Sequence, residues 1–188
     1  NPNLVEQLVA AFAEVGALYI ADGHHRSAAA SRVAASRGGG GHSGWFLAGL
    51  FPDSELKVLA YNRVVRDLNG RTPAVFIKEL SEHFIVTPTS TARPQRRGRW
   101  TMYLSGQWFE LTARAGVVPG SDPVGRLDVA VLQDRILGPL LGIDNPRTDT
   151  RIAFVGGIRG HKALSKRVDR GDAMVAFHLY PTGMDQLF

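Results

Sequence analysis

The stretch A-L-Y-I-A-D-G-H-H-R-S-A-A-A-S-R-V-A-A-S-R, residues 17–37, sets the expected fold of this chain. The short apolar run Ala17 to Ala21 predicts a buried strand, which Asp22 and Gly23 end. The alanine-rich segment from Ser27 to Arg37 predicts a helix whose small side chains allow close packing. The order of strand, sharp turn and helix therefore places a helix N-terminus directly after a buried strand.

The turn between this strand and this helix has the chemistry of an anion site. The first N–H groups of a helix lack backbone partners and lie at the positive end of its dipole, so they attract phosphate. Gly23 lets the backbone approach an anion closely, and the planar fork of Arg26 can bind two phosphate oxygens. His24 and His25 add donors whose charge responds near neutral pH. Ser27 supplies a hydroxyl group or a helix cap.

Asp22 adds a carboxylate beside these donors, where it could hold a magnesium ion or act as a base. We therefore take Asp22 and His25 as candidate catalytic residues and Asp22 as the candidate metal ligand. The alternative is an ordinary helix cap whose polar residues face water. That alternative explains Asp22, Gly23 and Ser27, but it explains two adjacent histidines and an arginine on one turn poorly.

Composition excludes several other classes of protein and site. The chain has 188 residues, of which 44% are hydrophobic, as in ordinary soluble globular proteins. It has no cysteine, which removes disulfides, thiolate metal sites and cysteine nucleophiles and predicts a cytoplasmic location. No apolar run reaches the roughly 18 residues of a membrane span, and no signal peptide is evident, so we expect no membrane partner.

Other catalytic motifs are absent or weak. The chain contains neither G-x-S-x-G nor G-x-x-x-x-G-K-[ST], and its histidines lack the spacing of a zinc site. The segment F-V-G-G-I-R-G-H-K, residues 154–162, lies between a predicted strand and a predicted helix. A plain turn is the favoured interpretation of this segment, and a second phosphate-contacting loop is the alternative.

The net charge of +5 comes mainly from arginine, since only four of the 22 basic residues are lysines. One dense cluster stands out in A-R-P-Q-R-R-G-R, with Arg93, Arg96, Arg97 and Arg99. Such a run between turn residues is usually a solvated loop. A binding surface for polyanions is the alternative.

The remaining pattern predicts an α+β fold, a mixed sheet with flanking helices. Helices are expected at 2–15, from residue 73 onward, at 127–143 (shortened or kinked by Pro139) and at 161–170, and strands at 45–51, 56–65, 99–113 (a hairpin), 151–155 and 173–180. We expect a core at 1–70, a helix and β-hairpin insertion at 71–125, and a C-terminal part at 126–188, packed as one compact domain.

Several segments together resemble a known family. The sequence Y-I-A-D-G-H-H-R (19–26), followed by an alanine-rich helix, is similar to the strand–GxxR–helix core of the ParB/sulfiredoxin superfamily. Within that superfamily it closely resembles the domain-of-unknown-function family 1015, which has free-serine kinase-like relatives. Segments 46–70, 127–143 and 170–182 extend the resemblance over nearly the whole chain. Because family members are longer at both ends, the resemblance implies a central piece of a longer protein.

The resemblance implies that the turn binds nucleotide phosphates. In sulfiredoxin-like and serine kinase-like relatives the GxxR turn holds ATP or ADP, and in ParB relatives it holds CTP. Residues 23–27 would then form the phosphate cradle, with Asp22 on the side of Mg²⁺ or the acceptor. The catalytic glutamate of the kinase-like relatives has no clear counterpart, since Glu6 and Glu14 look like helix-face residues. The catalytic cysteine of sulfiredoxin is absent.

Three functions remain open at this point. The first is a phosphotransferase that uses ATP or ADP, with Mg²⁺, on a small hydroxyl compound such as free serine. The second is a ParB-like nucleotide switch or DNA-associated module, which the cluster Arg93 to Arg99 motivates, although no helix-turn-helix is evident and we do not expect nucleic acid as the main partner. The third is a domain fragment without activity of its own.

Overall fold

A computed structural model describes residues 1–186, and the chain divides into two compact units. The first unit is Asn1–Phe51, and the second begins at Pro52. Helices accompany a six-stranded sheet, which confirms the α+β prediction. Within residues 1–186 no helix is both long and apolar enough to cross a membrane.

Two helices account for about half of the first unit. Helix α1 spans Pro2–Ala13 and helix α2 spans His24–Ser36, both close to prediction, and a 3₁₀ turn follows at Gly41–Gly44. Proline in the first turn of α1 is tolerated because the N–H group it lacks would have no helical partner there. No side chain in Asn1–Phe51 is buried.

The strands predicted at 17–21 and 45–51 do not form, so these two predictions are wrong. Both segments are exposed along their whole length; Leu18 is 63% exposed and Trp45 is 84% exposed. A strand is stable only when a neighbouring strand takes up its backbone hydrogen bonds. Neither run has such a neighbour, so the strand of the expected strand–GxxR–helix core is missing from the structure.

The second unit is built on one antiparallel sheet of six strands, in the order β2-β4-β3-β6-β1-β5. The strands are β1 Tyr61–Val65, β2 Phe84–Pro88, β3 Arg99–Leu104, β4 Gln107–Ala113, β5 Ile152–Gly156 and β6 Val175–His178. Strand β2 was not predicted, and the predicted strand at 56–65 is shortened to β1. The sheet contains strands from all three expected segments, 1–70, 71–125 and 126–188. The division of the chain into these three segments stays a prediction.

The hairpin predicted at 99–113 is confirmed as β3 and β4. Leu104 pairs with Gln107, which leaves a turn of two residues. Ser105 and Gly106 both have positive φ, at 50° and 80°. Two positive φ values in a two-residue turn match the right-handed twist of the flanking strands.

One face of the sheet packs on helix α3, Pro73–His83, and on the helical segment 128–137. Phe76, Leu80 and Trp100 are fully buried in this core. The segment begins as helix α4, Asp128–Leu132, and continues as a π-helical turn, Gln133–Leu137. It ends before Pro139, which confirms the expected shortening of the helix predicted at 127–143.

Helix α5, Gly160–Asp169, covers the opposite face of the sheet, near the position predicted for it. Leu164 is fully buried there and packs with Val64 and Ala176. The hydroxyl group of Tyr103 donates a hydrogen bond to Asp169 at 2.8 Å, which joins the sheet to the end of the helix.

Candidate functional site

The start of α2 is the feature that the sequence singled out, and Gly23 is its N-cap. Gly23 has φ 85° and ψ 24°, a left-handed conformation that favours glycine. A Cβ atom at this position would lie 3.2 Å from a terminal nitrogen of Arg26, because the Arg26 side chain lies against Gly23. The sharp turn predicted at Gly23 is present, and the approach of an anion to its backbone stays a prediction.

No side chain caps the start of α2. The first backbone hydrogen bond of the helix runs from the N–H group of Ser27 to the carbonyl oxygen of Gly23, at 2.8 Å. The N–H groups of the three residues between them, His24, His25 and Arg26, belong to the first turn, where no helical carbonyl is available. An acceptor from outside the chain can therefore bind at this end of the helix.

Asp22 and Arg26 form an ion pair across the turn, with 3.3 Å between Arg26 Nη2 and Asp22 Oδ2. Their side chains are 94% and 80% exposed. Exposed pairs of this kind contribute about 0.2–1 kcal/mol, so a phosphate with two or more charges can displace the carboxylate. The structure thus brings together the predicted metal ligand and the predicted phosphate ligand.

The other predicted residues lie on the same turn. His24 and His25 are exposed, and Ser27 is half-buried. Backbone N–H, imidazole and guanidinium groups are all donors, and this donor set suits the oxygens of a phosphate. All six sequence-predicted site residues, 22–27, are therefore contiguous and open to solvent on at least part of their surface.

The fit to Mg²⁺ is weaker than the fit to phosphate. Residues 1–186 contain no group of three or more histidine, aspartate or glutamate side chains able to hold a metal ion. Asp22 offers one carboxylate, and that carboxylate is paired with Arg26. Mg²⁺ commonly binds through one or two carboxylates together with substrate phosphates and water. Asp22 suits this ion only as one ligand beside a bound phosphate.

Residues 1–130 match the family described as protein of unknown function (DUF1015). The chain belongs to this family. The match includes the whole of the turn 22–27 and continues through α3 and the β3–β4 hairpin. No curated protein and no solved structure matches the chain.

The second glycine-rich segment of this DUF1015 protein, 154–162, has a packing role. Strand β5 ends at Gly156, a 3₁₀ turn follows at Gly157–Arg159, and α5 begins directly afterwards. A Cβ atom on Gly157 would lie 2.7 Å from the carbonyl oxygen of Ala60, so the backbones touch here. This contact supports the interpretation of the segment as a turn that needs glycine for packing.

The arginine cluster of the DUF1015 protein lies beside a cleft that sequence analysis did not foresee. Arg96, Arg97 and Arg99 line this cleft together with Arg114, which was not singled out. Strand pairing explains the omission, since Arg99 lies opposite Thr112 in the β3–β4 ladder and Arg114 follows two residues later. The register of the predicted hairpin could have indicated that Arg114 lies near Arg99.

Proposed function

We propose that this DUF1015 protein binds a nucleotide by its phosphates at the turn 22–27 and transfers a phosphoryl group between ATP or ADP and a small hydroxyl compound. The uncapped start of α2 carries the proposal. There an N-cap glycine in the left-handed conformation precedes three basic side chains in one helical turn. Because the chain has no cysteine, we propose the reducing cytoplasm as its location.

The backbone of the turn and three of its side chains have tasks in this proposal. The N–H groups of the first turn of α2 and the guanidinium group of Arg26 bind phosphate oxygens and hold the nucleotide in one orientation. When Arg26 turns to the phosphate, it leaves Asp22, whose carboxylate is then available as a metal ligand. Mg²⁺, when bound, neutralises charge on the phosphates. His25 accepts the proton of the acceptor hydroxyl group.

A nucleotide switch without phosphoryl transfer, as in ParB-like proteins, is the second candidate. The observation that favours it is the single carboxylate on the turn, which is already paired with Arg26. Binding requires the donors of residues 23–27 alone, whereas phosphoryl transfer also requires a base and a metal ligand. The two candidates therefore differ in product formation and agree on the binding site.

Calorimetry with ATP and ADP tests the shared binding site. We expect Arg26→Ala to lose about 1.5–3 kcal/mol of binding free energy, the range for hydrogen bonds to charged groups, which is about 10- to 150-fold in Kd. Arg37→Ala is the matched control, because Arg37 is the C-cap at the opposite end of α2, and we expect it to bind as the wild type does. Equal binding by the wild type and Arg26→Ala would refute the assignment of the turn.

Asp22→Asn separates the two candidate functions. Without Mg²⁺ we expect this variant to bind nucleotide at least as tightly as the wild type, because Arg26 is released from its ion pair. With Mg²⁺ and a panel of amino acids and other hydroxyl compounds, including serine, we expect the wild type to form a phosphorylated product and Asp22→Asn to form much less. Nucleotide binding without any product from the wild type would favour the switch.

A further inference from the structure

Four arginines lie at one end of the sheet in the second unit, in the loop before β3, at the start of β3 and just after β4. A cleft of about 410 Å³ lies where β3 begins and β4 ends. Its basic lining consists of Arg96, Arg97, Arg99 and Arg114. The cleft is wide open to solvent, so it suits the end group of a ligand and would not enclose a whole small molecule.

The backbone around the cleft is held by the sheet. Arg99 is paired with Thr112 in the β3–β4 ladder. The N–H group of Arg114 donates to the carbonyl oxygen of His83 at 2.9 Å, and its Nε donates to the carbonyl oxygen of Ser81 at 3.0 Å. These bonds fix the position of Arg114 without neutralising its charge.

The cleft carries uncompensated positive charge. Arg97 Nη1 donates to Asp185 Oδ2 at 2.7 Å, and Arg99 forms an ion pair with Glu110. Neither carboxylate lines the cleft. Among residues 1–186, Arg96 and Arg114 form no ion pair with a carboxylate. Two guanidinium charges are therefore available to a ligand.

One donor at the cleft is also unsatisfied. Arg99 Nε is buried and has no hydrogen-bond partner among the described residues. Buried donors without partners are rare in folded proteins, because the lost hydrogen bond to water is not replaced. Because Nε has almost no exposed surface, an anion in the cleft would offset the charge of Arg99 without bonding to this atom.

We propose that this cleft binds a small phosphate-bearing compound, with its phosphate between Arg96 and Arg114. The guanidinium fork matches the spacing of phosphate oxygens, which makes arginine the preferred side chain for such ligands. Ala113, Ala115 and Val118 supply apolar surface for the remainder of the compound. A nucleic acid strand requires a longer basic track with aromatic side chains for base stacking, and among residues 1–186 no aromatic side chain lines this cleft.

Calorimetric titration of the full chain with pyrophosphate tests the proposal. We expect Arg96→Ala, which removes an exposed side chain without an ion pair, to weaken pyrophosphate binding at the cleft at least 10-fold. Arg93→Ala is the matched control, because Arg93 lies in the same loop but does not line the cleft. If Arg93→Ala weakens binding as much as Arg96→Ala does, the attraction is general to the loop and the proposal fails.

The same titration followed by NMR distinguishes this cleft from the turn at Gly23. We expect the amide resonances of Gly98 and Gly116 to shift with pyrophosphate in the wild type and equally in Arg26→Ala. If they do not shift, the cleft binds no such ligand, whatever happens at the turn. If a short single-stranded DNA moves the same resonances at lower concentration than pyrophosphate does, the partner is a nucleic acid and the proposal of a small compound is overturned.

Discussion

The two units of the chain differ in what their side chains do. In Asn1–Phe51 no side chain is buried, and even the apolar residues Leu8 and Phe12 of α1 are 49% and 44% exposed. In the second unit Phe76 and Trp100 are fully buried beneath the sheet. The family motif at 22–27 thus lies in the unit without buried side chains. None of its side chains is buried, and the pair between Asp22 and Arg26 is exposed, so a ligand can compete for these donors.

This contrast also predicts where the chain opens. Helices held by local hydrogen bonds alone open at little cost in free energy, whereas elements with many buried apolar contacts open only on global unfolding. Helices α1 and α2 have no buried side chain and are expected to open at the lower cost, whereas β3 and β6 contribute Met102 and Phe177 to the core. Substitutions in the two units are therefore expected to differ in their effect on the free energy of unfolding.

The largest expected difference comes from removing a phenylalanine side chain in each unit. Phe76→Ala leaves a cavity in the core and is expected to cost about 3–5 kcal/mol of the free energy of unfolding. Phe12→Ala is expected to cost less than about 1 kcal/mol, because the side chain is already 44% exposed. Denaturation with urea measures both. A similar loss for the two variants would remove the distinction between the units.

A smaller difference is expected between two side-chain hydrogen bonds. In the second unit the fully buried Asn62 accepts a hydrogen bond from the N–H group of Leu179 at 3.1 Å. Asn62→Ala leaves that buried N–H group unpaired, at a cost of about 1–3 kcal/mol that removal of the buried Nδ2 of Asn62, unpartnered among the described residues, partly offsets. In the first unit Ser36 donates to the carbonyl oxygen of Val33 at 2.9 Å in an exposed position. Ser36→Ala is expected to change the free energy of unfolding by less than about 0.5 kcal/mol, since water replaces the bond. If urea denaturation shows that Ser36→Ala costs more free energy of unfolding than Asn62→Ala, burial does not determine how much these two hydrogen bonds contribute to stability.

The smallest effect concerns the charge on Asp128 in the second unit. Burial raises the pKa of this carboxyl group to about 6, although the N–H group of Gly98 and the charge of Arg97 oppose the shift. Between about pH 4 and pH 6 the folded chain therefore holds a proton that the unfolded chain has lost. Protonation of Asp128 therefore stabilises the folded chain at about pH 4, and this stabilisation is lost as the pH rises through 6.

Asp128→Asn removes this titration. We expect the difference in unfolding free energy between the wild type and Asp128→Asn to change by on the order of 1 kcal/mol from pH 4 to pH 7, after allowance for solvent screening. The wild type becomes relatively less stable at the higher pH. Urea denaturation at several pH values gives the slope, and a difference that does not change with pH would show that Asp128 is not perturbed by burial.

Sequence patterns predicted the elements whose start or turn is marked by neighbouring residues. Helix α3 begins where Thr72 accepts a hydrogen bond from the N–H group of Val75 and proline follows the cap, and the hairpin turns at Ser105 and Gly106. Strand β2 was missed because it follows α3 without an intervening turn, from His83 to Phe84. The pairing of β1 with β5 joins residues about ninety positions apart, and such pairing leaves no mark in local spacing.

Only the local features of the candidate site were predicted, because only they are set by adjacent residues. The glycine and the helix start at 23–27 follow from adjacent residues and are where the sequence placed them. The ion pair between Asp22 and Arg26 was not foreseen, because Asp22 lies before the helix and the left-handed conformation of Gly23 sets where its side chain meets Arg26. Apolar composition alone predicted strands at 17–21 and 45–51, and composition does not supply the partner strand that a strand requires.

The central claim is that the uncapped start of α2 binds the phosphates of a nucleotide. Amide NMR during titration with ATP tests it most directly, because the N–H groups themselves are the proposed ligands. We predict large, saturable shifts for the amides of His24, His25 and Arg26, at a midpoint that moves to higher concentration in Arg26→Ala. If these three amides remain in place while ATP binds elsewhere, or if ATP shifts no resonance at all, the claim is contradicted.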